Sequence, residues 1–176
     1  MKKYEFTGET KQINLLFRTA TLHRIRAVVE FGLVKIGDLG GWIEKEENLS
    51  HDGKAWVWGN AKVWGNAKVW GNAKVCGDAE VWGNAKVCGD AEVFSASHVL
   101  VIGAIGSRND FTTFFRDKDG EITVKCGCFL GKIDRFLEKV ASTHGNSKYA
   151  LVYRAAVEVA KLQIDLTGEA PEMDEE

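Results

Sequence analysis

From Val57 to Glu92, apolar and polar positions recur with a period of six residues, six times without a break: VWGNAK, VWGNAK, VWGNAK, VCGDAE, VWGNAK, VCGDAE. Each unit carries Val first, Gly third, Asn or Asp fourth, Ala fifth, and Lys or Glu sixth. Val and Ala, one bulky and one small, suit the inside of a flat coil. Gly followed by Asn or Asp suits a corner, because these residues tolerate positive φ. Trp or Cys at the second position and the charge at the sixth then face outward. Tandem β-hairpins do not fit, since they alternate with period two and need longer strands. A fixed short period of this kind predicts a stack of repeating turns.

The phase extends beyond the perfect block. Backwards, the fifth-position column continues through Ala55, Leu49, Ile43, Gly37, Phe31 and Ile25. The first-position column continues through His51, Lys45, Leu39, Leu33 and Ala27, less regularly. Forwards, Val93 and Val99 keep the phase and Ser97 weakens it. The stack is therefore expected over residues 21–98, with residues 1–20 as a cap segment and residues 168–176 as an acidic tail.

After Val99 the pattern changes. Val99–Gly106, Phe111–Asp117 and Glu121–Gly127 read as strands, the last two joined by a turn at Lys118-Asp119-Gly120. Ile133, Phe136, Leu137 and Val140 share one helical face that ends at Gly145. Ser147 is placed to cap a last helix with Leu151, Ala155, Val159, Leu162 and Leu166 on one side. Residues 99–167 are thus expected as an α+β domain in the order β-β-β-α-α, whose helices are also available for pairing between subunits.

The Val–Ala spacing, Val57–Ala61 through Val87–Ala91, resembles that of the hexapeptide-repeat proteins. Gly37–Ser50, GDLGGWIEKEENLS, is similar to the opening of short phage- and prophage-borne members. The resemblance implies a β-solenoid, a left-handed parallel β-helix with three hexads per turn, followed here by the small α+β domain. Residues eighteen apart then stack. Lys62 lies over Glu80 and Lys74 over Glu92, opposite charges in register, while a third face stacks Trp64 on Trp82, Asn66 on Asn84 and Lys68 on Lys86. Trp64, Lys68, Trp82 and Lys86 are the expected interface residues, inviting an acidic or aromatic partner.

Composition narrows the function classes. The chain has 176 residues, a formal charge of -2 and 45% apolar residues, and no run long enough to span a bilayer. That charge gives no general attraction to nucleic acid or to an anionic membrane. The opening MKKYEFTGETKQ lacks the apolar stretch of a signal peptide, and four cysteines without one suggest reduced thiols in a cytoplasm, the host's if the chain is phage-encoded. The glycine-containing loop Gly103–Asn109 offers Ser107, Arg108 and Asn109, with Thr112, Thr113, Arg116 and Lys125 nearby, as donors for a small phosphate-bearing ligand. Its spacing is neither a Walker loop nor a dinucleotide fingerprint. Cys126 and Cys128, read as pointing the same way on a strand, do not make a zinc site, and no metal or cofactor is expected. With His144 in reach either thiol could be a nucleophile; as buried inert thiols both have a simpler reading.

Many hexapeptide-repeat proteins are acyltransferases with a histidine base, so this is one reading, and His98, at the end of the stack, is the histidine best placed for it. His51 falls in an inward column. The reading that explains more residues is a non-enzymatic binding protein. The phage resemblance makes it a host-interaction or counter-defence protein, a homo-oligomer that captures a nucleotide-like ligand or a host protein. A structural, polymer-forming scaffold is the third reading.

Overall fold

The computed structural model describes residues 1–169 and Pro171. Three strands come first: β1 (Tyr4–Asn14), β2 (Thr19–Ala27) and β3 (Leu39–Ile43). Seven two-residue strands follow: β4 (Trp56–Val57), β5 (Lys62–Val63), β6 (Lys68–Val69), β7 (Lys74–Val75), β8 (Glu80–Val81), β9 (Lys86–Val87) and β10 (Glu92–Val93). The chain continues with β11 (Val99–Ile105), β12 (Asp110–Arg116), β13 (Ile122–Cys126), β14 (Phe129–Lys132), α1 (Ile133–His144) and α2 (Lys148–Gln163). Of the acidic tail at 168–176, Ala170 and residues 172–176 lie outside the described residues.

The expected β-solenoid, a left-handed parallel β-helix over 21–98, is corrected by this arrangement. The strands fall into four small sheets, ordered β1-β2-β3-β5-β8, β10-β7-β4, β6-β9 and β11-β12-β13-β14, and no sheet is strongly curled. The largest is mixed, because β1, β2 and β3 pair antiparallel before β3 meets β5 in parallel. Two physical reasons account for the difference. Glycine corners leave only the sixth and first positions of each hexad extended, so each parallel strand is two residues long. Before Ala55 the hexad phase fails, since Leu33 and Leu39 in the nominal inward column are exposed.

What the hexads do form is a set of short parallel pairs between residues eighteen apart: β4 with β7, β7 with β10, β5 with β8, and β6 with β9. Backbone bonds run the same way, Lys62 N–H to Ala79 C=O at 2.9 Å and Trp70 N–H to Val87 C=O at 3.1 Å. Every first-position Val and fifth-position Ala from Ala55 to Val93 is buried in one core. The corner glycines are required by geometry. Gly71 has φ +75°, and a Cβ there would lie 3.0 Å from the Gly89 nitrogen.

Both ends of this core are covered. At the first, the Asn48 side-chain amide donates to Ala67 C=O (2.8 Å) and Gly65 C=O (3.2 Å), occupying carbonyls that would otherwise be open. Gly40 and Gly41 let β3 lie against the core; a Cβ on Gly40 would sit 2.5 Å from Ile25 and 2.7 Å from Trp56. At the second, Thr113 Oγ1 accepts from Lys86 N–H (3.0 Å), Lys118 N–H donates to Asp90 C=O (3.0 Å), and Phe115 enters the hexad core.

The sheet β11–β14 is antiparallel and two-faced. Val99, Val101 and Phe115 pack on the hexad core, whereas Phe114, Ile122 and Val124 pack against α1 and α2. The chain forms four strands here rather than three. Cys126 pairs with Phe129 across a two-residue turn with Gly127 at φ +55°, a hairpin hidden by the brevity of FLGK. α1 ends at Gly145 as its pattern predicts. In α2, Ala150, Tyr153, Ala156, Val157 and Ala160 are buried, and Leu151, Ala155, Val159 and Leu162 face outward. Small alanines pack closely on the sheet, and that advantage outweighs the longer leucine stripe.

Candidate functional site

Trp64 and Trp82 follow β5 and β8 on one flank of the hexad block. Their rings stack with centroids 6.1 Å apart and planes 9° from parallel. Trp64 is buried in a small apolar cluster with Leu22 and Trp42, against which Ile13 and Leu15 pack from the first hairpin. Trp82 is 59% exposed. An indole of this size is thus held rigidly from beneath and left open above.

Beyond the next corner lie two lysines, on the separate sheet β6-β9. Lys68 pairs with Lys86 across β6 and β9, and neither ammonium is paired with a carboxylate among the described residues. By contrast Lys62 meets Glu80 at 2.8 Å on β5 and β8, the strands that lead into Trp64 and Trp82, and Lys74 meets Glu92 at 3.3 Å on β7 and β10. Asn66 bridges to Asn84 at the intervening corner (3.4 Å). Arg18 pairs with Glu44, whose carboxylate also accepts from Gly65 N–H at 2.7 Å, next to Trp64. Those bonds from Arg18 and Gly65 hold the Glu44 carboxyl below its ordinary range against a smaller effect of burial. Arg18 brings with it the hairpin tip, where Leu16 and Phe17 are almost wholly exposed. This tip is a feature that sequence reasoning missed. Its signal was an apolar run, Leu15-Leu16-Phe17, in a turn where polar residues are the norm.

Lys68 also borders an open cleft of about 700 Å³, lined by Glu46, Glu47, Ser50, His51, Asp52 and Trp70. His51 stacks on Tyr4 at 4.3 Å, and its Nδ1 accepts from Lys3 N–H at 3.2 Å. Burial lowers its pKa despite Glu46 nearby. Beside it Lys3 is only 3% exposed; its ammonium donates to Ala55 C=O (2.7 Å) and sits 4.8 Å from the Phe31 ring centroid. Burial pulls the Lys3 pKa down to about 8, with Asp52 opposing.

The residues proposed for anion capture divide into two groups. Ser107, Arg108 and Asn109 form the exposed tip of the β11–β12 hairpin, a turn tighter than the glycine loop the sequence suggests. Beneath the tip, Thr112 donates to Cys126 Sγ at 3.3 Å, and Cys126 lies 3.9 Å from the Tyr153 hydroxyl. Burial and the neighbouring Cys126 push the Tyr153 pKa up to about 12. His144 stands beside Tyr153, ring centroids 5.8 Å apart.

The second group serves as joints. Thr113 points away from Thr112 and bonds the hexad block. Arg116 is buried over Phe94, its guanidinium 4.8 Å from the ring centroid and 3.6 Å from Glu92, and it donates to Gly168 C=O. Lys125 donates to Gly127 C=O at 2.5 Å.

The remaining candidates also have defined places. His98 is buried at the junction, its Nδ1 accepting from Phe94 N–H (3.3 Å), its pKa lowered by burial and then by Arg116. Cys126 and Cys128 do not share a strand: Cys126 ends β13 half-buried, and Cys128 is exposed in the turn. Cys76 and Cys88, expected outside, are buried, and burial pushes both thiols up to about 11. Among the described residues no helix is long and apolar enough to cross a membrane. No protein-family model matches the chain, and no curated protein matches it.

Proposed function

We propose that this chain is a non-enzymatic binding protein whose docking surface is the Trp82 flank of the hexad block, and that its partner is a protein segment combining acidic and apolar side chains. The observation behind this reading is the exposed Trp82 ring, stacked on Trp64, with the carboxylate-free pair Lys68 and Lys86 beyond the next corner of the block. A rigid aromatic ring loses little conformational freedom on binding, and neighbouring cations select the sign of the partner. Leu16 and Phe17 extend the apolar part of the surface. Capture of a protein fits better than capture of a phosphate-bearing ligand at the α+β part, because Thr113 and Arg116 are committed to internal contacts. A host protein as partner, in a phage-type counter-defence setting, and a cytoplasmic location belong to the same proposal. Four free cysteines suit a reducing compartment.

The test is a titration of the intact protein with synthetic peptides that interleave Asp or Glu with Phe, Leu or Tyr. A subset should bind, weakening as salt rises. Trp82→Ala should lower that affinity about 30-fold, a loss of about 2 kcal/mol. Lys68→Ala with Lys86→Ala should flatten the salt dependence. Binding that survives Trp82→Ala unchanged overturns the proposal. So does a nucleotide panel giving heat that Arg108→Ala abolishes, if no peptide binds.

A further inference from the structure

α2 is apolar on two opposite sides. One side packs on the sheet; the other is built from Leu151, Val152, Ala155, Val159 and Leu162, which are exposed and belong to no apolar cluster among the described residues. Leu162 is 89% exposed and Leu151 59%. At 100° per residue, Leu151, Ala155, Val159 and Leu162 fall within an arc of about 80°. That makes a continuous stripe down the helix, with its smallest member, Ala155, near the middle.

One flank of the stripe carries Arg154, Glu158 and Lys161, all exposed, with Glu158 paired to Lys161 at 3.0 Å. The other flank carries no acid. When two copies of a helix pack antiparallel about a twofold axis, each flank faces its own copy. Arg154 then stands opposite Glu158 of the second copy, and Glu158 opposite its Arg154, when the axis passes near residue 156. The same register sets Leu151 against Leu162 and Ala155 against Val159, small against large. A parallel pair would set the charged flank against the uncharged one and lose both ion pairs.

We propose that the chain forms a twofold dimer through antiparallel contact of α2 with α2 of a second copy, in register about residue 156. This surface is separate from the Trp82 flank, so the dimer presents two docking flanks. A contact of four helical turns is small beside a standard interface, and a dissociation constant of about 10 μM is expected.

Sedimentation velocity on the intact protein, from about 1 to 200 μM, reads the result directly. At that dissociation constant the weight-average mass should rise about 1.6-fold across the range, from mostly monomer to mostly dimer. Val159→Glu and Leu162→Glu should each hold the protein monomeric, with a melting temperature near wild type because these side chains are exposed. Arg154→Glu and Glu158→Arg should each weaken association about tenfold, and the double exchange should restore it. Wild-type protein that stays monomeric throughout overturns the proposal. So does a dimer indifferent to Leu162→Glu, or a double exchange that fails to rescue. A dimer lost in Trp82→Ala but kept in Leu162→Glu would move self-association to the other flank. If Leu162→Glu melts early, Val159→Gln gives the same reading with a neutral side chain.

Discussion

The hexad block and the sheet–helix unit that follows use adjacent residues by different rules. Within the block, position in the hexad sets the environment: each Val and Ala from Ala55 to Val93 is buried, whichever copy it belongs to. In β12 no such rule holds. Thr112 faces Cys126 and the helices, while Thr113 bonds the hexad block. Phe114 enters the helix-side core and Phe115 the hexad core. A repeating region inherits its contacts from neighbours like itself, whereas a two-faced strand takes them from two unlike partners. The block can therefore absorb sequence change between copies at outward positions, and β12 cannot do so on either face.

The sharpest way to break this comparison is to empty one core at a time. Phe114→Ala and Phe115→Ala each remove a fully buried ring, and each should cost about 3–5 kcal/mol in urea unfolding. Hydrogen exchange separates them. Phe114→Ala should release the amides of α1 and α2 while those of the hexad block stay protected. Phe115→Ala should release β9, β10 and the sheet together. Identical exchange patterns for the two variants would mean one indivisible core and would remove the distinction.

Next in size are two changes at the opposite end of the block. Gly40→Ala places a Cβ into Ile25 and Trp56 and should cost about 3 kcal/mol, since backbone on one side and a buried indole on the other cannot yield. Lys3 offers a gain. Its pKa is lowered to about 8 from an ordinary 10.5, so the folded state binds fewer protons than the unfolded state between those pH values. Wild-type stability should therefore carry the full cost of the buried charge below pH 8 and rise between pH 8 and 10.5. Lys3→Met should be more stable at pH 7 by about 2 kcal/mol, after subtracting the lost bond to Ala55, and the advantage should fade toward pH 10.5. A flat difference across that range would show that the ammonium is not desolvated.

How much was legible in the sequence follows the same division. The buried columns of the block and the end of α1 at Gly145 follow from spacing and glycine, whereas the Lys–Glu pairs and the Trp64–Trp82 stack also needed the eighteen-residue turn that the hexapeptide resemblance implies. Spacing did not reveal that β1, β2 and β3 build one end by antiparallel pairing, because Ile25 and Ile43 keep hexad spacing while reaching the core from β2 and β3, and Leu49 does so from an isolated bridge to Val69. Which side of α2 faces the sheet was not legible, because two apolar stripes compete and only the sheet decides between them. The burial of Cys76 and Cys88 has a similar origin. Each takes a Trp column, with Cys88 close enough to Lys125 for its ammonium to oppose the effect of burial and Cys76 beside Glu92. At the candidate site, Trp82, Lys68 and Lys86 were legible, but Leu16, Phe17 and Tyr153 were not, since each acquires its neighbours from distant segments.

The smallest effect tests whether charge registry along the block stabilises it or only tolerates it. Lys62 and Glu80 meet at 2.8 Å with both side chains partly exposed, so solvent screening limits the pair to about 0.5 kcal/mol. A double-mutant cycle with Lys62→Ala and Glu80→Ala should give a coupling of that size, shrinking as salt is raised. The sharper comparison is Lys86→Glu, which would place an opposite charge beside Lys68 and give the third face the pattern of the other two. It should stabilise the fold by about the same 0.5 kcal/mol while weakening peptide binding at the Trp82 flank. Stability gained with binding unchanged would show that the two lysines are solvated surface and not part of a docking site.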